Sequence, residues 1–149
     1  MDYVDFREAV STLVEESIGE FGDTPPVLLV EGHQNSVVPL VAIGEDAWDG
    51  FIENQLPALI AELGGKRVAL IFPGAAIDER EGEITRVRRC VTIVSGATGL
   101  PTPDAKVGYV EDDRTVRWEG DTPEKVEGAV PDAIVLGLSA AQGREPAGL

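Results

Sequence analysis

Between residues 66 and 120, one strand-length segment follows another with no helical stretch among them, and that order constrains the fold more than any other feature. RVALIF (67–72) is a continuous apolar run, as a strand covered on both faces requires. ITRVRRCVTIV (84–94) follows it, and KVGYVEDDRTVRWEG (106–120) reads as a hairpin turning at its charged tip, Glu111–Arg114. Strands that succeed one another through short connections pair antiparallel. The spacing therefore predicts a single α+β domain with a mixed, mostly antiparallel sheet of about five or six strands packed by two main helices. The competing layout is α/β, with VLLV (27–30), RVALIF and IVLGL (134–138) as parallel core strands.

Residues 3–21 carry the first helix: Phe6, Val10, Leu13, Ser17 and Phe21 recur at three- and four-residue steps, with Glu8, Glu15, Glu16 and Glu20 off that line. Gly22 is placed to cap its C-terminus. After the breaker at 23–26 come VLLV, the polar EGHQNS (31–36) and a second apolar run, VVPLVAI (37–43). Pro39 cannot donate a ladder hydrogen bond, so this run is expected at a sheet edge or at a bulge. Residues 45–63 form the second helix, with a kink or break expected at Pro57, which removes the bond to Glu53. PGAAIDEREGE (73–83) reads as a long polar connection and SGATGLPTPDA (95–105) as a Gly/Pro-rich one. Thr122-Pro123 has the residues of an N-cap and N1 pair for a short helix to about Glu127. IVLGL fits strand or helix equally, because a short apolar run cannot be typed by period alone. Residues 1–143 make one domain in this reading, with 144–149 a flexible C-terminal tail.

The 149 residues hold 27 Asp and Glu against 12 Lys and Arg, a net charge of −15. Such a surface repels nucleic acid and anionic membranes and attracts a basic partner, a cationic ligand or a metal. No apolar run approaches the ~20 residues of a membrane span. The opening MDYVDFREAV has two aspartates where a signal peptide needs cations, so a cytoplasmic location is expected. One cysteine (Cys90) and one histidine (His33) exclude an intrachain disulfide, a cysteine zinc cage and any paired-histidine metal site. Neither a cofactor nor a metal is expected.

A strand ending in Glu31-Gly32 resembles the first motif of Toprim domains, and that resemblance implies Glu31 beside a Mg²⁺ site for nucleotidyl transfer. The family's second motif, Asp-x-Asp, would fall where this chain has Pro73-Gly74-Ala75, so the cation would lack its carboxylate cage. The element order also loosely resembles the profilin-like and roadblock-like arrangements, which implies an antiparallel sheet flanked by helices.

Two functional readings follow. The first is a small acidic non-enzymatic protein-interaction or regulatory module, acting on a protein partner or by self-association, without nucleic acid or membrane. The second is a small-molecule- or metal-dependent enzyme whose site is built from the 31–36 and 73–83 loops. Its catalytic candidates are Glu31 and His33, the latter because a turn imidazole can serve as a general base or bind a ligand. Asn35, Asp78, Arg86 and Arg88 are its ligand-binding candidates. On a regular strand Arg86, Arg88, Cys90 and Thr92 share one face, where two guanidinium groups can clamp a carboxylate or phosphate, or pair locally with Asp78, Glu79, Glu81 and Glu83. Cys90 beside them reads either as a thiol of lowered pKa or as a small core residue.

Overall fold

The computed structural model of the chain describes residues 2–100, 102–120, 124–125 and 127–143. Helix α1 runs Tyr3–Phe21, opened by a capping box in which the Asp2 carboxylate accepts from the Asp5 N–H at 2.8 Å. Gly22 closes it in the left-handed region, φ 80°, with its N–H donated to the Ile18 carbonyl. The buried stripe is Phe6, Val10, Val14 and Ile18, rotated from the expected line, and leaves Leu13 46% and Phe21 71% exposed. The expected line ran through polar Ser17. The observed stripe is an unbroken i, i+4 ridge of apolar side chains and removes more apolar surface from water.

Strands β1 (Val27–Glu31) and β2 (Asn35–Pro39) form a hairpin, with β2 and its Pro39 at the sheet edge. The 45–62 stretch divides into α2 (Glu45–Gly50), a π-helical turn (Phe51–Gln55) and α3 (Leu56–Glu62). Pro57 is the cause: without its N–H the regular bond is lost, and the turn before it widens so that the Leu56 N–H reaches Phe51.

Strand β3 spans Arg67–Arg80 and β4 spans Glu83–Ala97, joined by a two-residue turn. Both turn residues, Glu81 (φ 55°) and Gly82 (φ 82°), adopt the positive φ that a type I′ hairpin requires. Residues 73–80 thus continue β3, 81–82 make the turn and 83 opens β4, so the segment is not a polar loop. It reads as a loop in sequence because its far half packs against no helix, so polar residues face water on both sides. Beyond Pro73 the β3–β4 ribbon projects as an arm, with Ile77, Ile84 and Val87 each more than half exposed.

Strands β5 (Asp104–Val110), β6 (Val116–Trp118) and β7 (Glu124–Lys125) complete a seven-stranded sheet of order β2-β1-β3-β4-β5-β6, with β7 also on β5. Every pairing is antiparallel, so the domain is α+β and the parallel-core alternative is excluded. IVLGL is helical, inside α4 (Ala129–Gly143). Thr122 and Pro123 lie outside the described residues, as does 144–149, and Glu124–Lys125 pairs with β5 where a short helix was expected.

Helices cover the sheet on both faces. Helix α1 packs on Ala69, Ile71, Val91 and Ile93, while α3 and α4 pack on Leu28, Val30, Val68, Leu70 and Val94. No helix among the described residues is long and apolar enough to cross a membrane.

A polar cluster pins α1 to β5. The Tyr3 hydroxyl donates to Asp104 Oδ2 at 2.9 Å, with the Ser95 carbonyl at 3.0 Å, and Arg7 Nη1 donates to the same Asp104 oxygen at 3.1 Å. Burial, reinforced by the Asp104 carboxylate, pushes the Tyr3 phenol up to about 12. The fold favours the neutral phenol, so this contribution is full below the unfolded pKa of about 10 and is lost as pH rises toward 12. Chemical denaturation across that window is expected to show falling stability, with a shallower fall in Tyr3→Phe. Identical slopes in the two proteins would contradict it.

Candidate functional site

The six residues singled out from sequence fall at two ends of the molecule. Glu31 ends β1 and forms a half-buried ion pair with Arg67, its cross-strand neighbour on β3. His33 sits exposed in the β1–β2 turn against the backbone of Gly64, so close that a Cβ at Gly64 would overlap its ring. Asn35 opens β2 and is exposed. Asp78, Arg86 and Arg88 lie on the projecting arm. Arg67 stands beside Glu31, and Asp78 is eleven residues further along the same strand, on the order of 35 Å away at ~3.3 Å per residue. The site expected from the 31–36 and 73–83 segments is therefore not assembled. Among the described residues no group of three or more His, Cys, Asp or Glu side chains is placed to hold a metal ion.

What the fold does assemble is a cleft of about 730 Å³ where β5 leaves β4, and five of the chain's nine arginines line it: Arg86, Arg88, Arg89, Arg114 and Arg117. Among the described residues only two acids, Glu111 and Asp112, share the lining. In a chain of net charge −15 this is a strong local reversal of sign. Its floor carries Tyr109, with the Arg88 guanidinium 4.3 Å and the Arg117 guanidinium 5.6 Å from the ring centre. The Tyr109 hydroxyl donates to Glu119 at 3.3 Å.

The arginines divide by occupation. Arg89 donates to the Gly22 carbonyl at 2.6 Å and Arg114 to the Glu20 carbonyl at 3.2 Å, so both serve the C-terminal end of α1, where cations complement the helix dipole. Arg117 pairs with Glu111 at 2.9 Å while remaining largely exposed. Arg88 reaches Asp78 at 3.5 Å, and its Nε is buried without a hydrogen-bond partner among the described residues. Arg86 faces Asp78 in register yet makes no hydrogen bond or ion pair among the described residues. The local pairing considered for these arginines is thus made by Asp78 on Arg88 alone. Arg86, Arg88 and Arg117 remain with guanidinium donors for an incoming anion, and Arg88, braced on Tyr109, is the most fixed of them.

Cys90 is half-buried beside this group. Burial pushes its thiol up, outweighing the nearby Arg88 charge, so it is a packing residue and not a lowered-pKa thiol.

Sequence reading found Arg86 and Arg88 and missed Tyr109, Arg114 and Arg117. The expected turn at Glu111–Arg114 would pair Tyr109 with Val116; the connection is one residue longer, closed between Glu111 and Thr115, and this sets Tyr109 opposite Arg117. No family model, characterised protein or solved structure significantly matches this chain.

Proposed function

We propose that this chain is a non-enzymatic protein-interaction module that grips an anionic group of a protein partner in the arginine-lined cleft. The observation that carries this reading is the convergence of five arginines and Tyr109 at one place on an otherwise acidic chain. Long-range repulsion by the acidic body disfavours a polyanion such as nucleic acid, whereas a short segment with a few carboxylates reaches the cleft alone. The dispersal of Glu31 and His33 away from Asp78, Arg86 and Arg88 supports binding over chemistry.

The test is a titration with a capped heptapeptide of alternating glutamate and valine, followed by amide chemical shifts. Shifts are expected at Val87, Arg88, Tyr109 and Arg117, with affinity falling as ionic strength rises through ~0.1–0.5 M. Shifts scattered over the acidic body, or none, would contradict the reading.

A further inference from the structure

We infer that the partner segment binds as an extended β-strand added to the open edge of β4, with acidic and apolar residues alternating along it. This deepens the proposed function and rests on it. Strand β4 pairs with β3 along its whole length, but with β5 only over Cys90–Ser95. Residues 83–89 consequently have one edge paired and, among the described residues, one edge without a strand, and that open edge faces the arginine-lined cleft. An unpaired strand edge presents N–H and C=O groups at alternate residues, a ready template for a further strand.

The two faces of that edge differ in chemistry. On the face shared with α1, Val87 is 60% exposed, with Ile77 opposite it on β3 and Phe21 at the cleft wall. On the other face stand Arg86, Arg88 and Tyr109. An added strand sends successive side chains to opposite faces, so alternate positions meet the apolar patch and the guanidinium groups in turn. Charge complementarity fixes the second set as carboxylates. The arm's exposed isoleucines and valine, unexplained by either core, become the apolar half of the recognition surface.

The experiment compares three capped heptapeptides on the full chain: alternating glutamate and valine, and the same sequence N-methylated at its odd or at its even residues. Either methylated peptide keeps all its charge and loses the N–H groups of one edge. The parent is expected to bind and to slow amide exchange within residues 83–89 at least tenfold, and one methylated peptide is expected to lose at least tenfold in affinity while the other does not. Equal binding of all three, or binding as tight by a fourth heptapeptide with its glutamates and valines segregated in blocks, would overturn the strand and leave the anionic grip standing. Failure of every acidic peptide to shift the cleft would remove both. Protection of the same amides by self-association without peptide, or displacement of the peptide by a single-stranded oligonucleotide, would assign the edge to another occupant and overturn the inference.

Discussion

Ile60→Ala is expected to cost about 3–5 kcal/mol, the upper part of the range for large-to-small core substitutions. Ile60 is fully buried on α3, at the join between that helix, α4 and the turn after α3. Two glycines abut it: a Cβ built on Gly137 would lie 2.8 Å from Ile60 Cβ, and one on Gly65 2.8 Å from Ile60 Cγ2. On these two sides truncation leaves a void walled by backbone that carries no side chain able to swing in. For a chain of this size the melting temperature is expected to drop by roughly 10–15 °C. The companion substitution Gly137→Ala should destabilise the parent and Ile60→Ala alike, because the new methyl would lie 2.8 Å from Ile60 Cβ, an atom that alanine keeps. An unchanged melting temperature for Gly137→Ala in calorimetry would show that α4 does not press on Ile60 at this position.

Neutralising Arg86 and Arg88 together is expected to weaken capture of the alternating glutamate–valine peptide by about two orders of magnitude, since charge-assisted hydrogen bonds contribute roughly 1.5–3 kcal/mol each. The two contribute unequally. Arg86 is exposed and without a partner among the described residues, so Arg86→Ala should change binding and leave stability alone. Arg88 is braced on Tyr109 and paired with Asp78, so Arg88→Ala should lower both. Arg88→Lys separates the roles, because it keeps the charge and loses the planar group that lies over the ring. Binding restored by lysine would make Arg88 a simple charge. Isothermal titration paired with denaturation curves distinguishes these outcomes.

The antiparallel α+β layout was legible in the run of strand segments after residue 66, and the disruption at Pro57 followed from one missing N–H. Where sequence reading failed, tertiary context decided. Residues 73–83 looked like a loop because apolar alternation marks a strand only where one face is buried, and the arm has no such face. IVLGL could not be typed from five residues and became helical within a longer helix against α3. The cleft was half visible. Arg86 and Arg88 stood out as neighbours on one strand, but Arg89 and Arg114 reach it through α1, whose end meets the arm only after the chain has folded. Glu31 and His33 were each singled out by residue type and local motif, whereas the strand register gives Glu31 to Arg67.

Reversing charge in the cleft probes the binding mode most directly. Arg86→Glu with Arg117→Glu changes two exposed side chains and no buried contact. Affinity for the alternating glutamate–valine peptide and for its lysine–valine counterpart would be read from the Val87 and Tyr109 amide shifts. An arginine-lined docking cleft gives acidic preference in the parent and basic preference in the variant, with unfolding curves superimposed. Unchanged capture of the acidic peptide by the variant would mean that these arginines do not hold it.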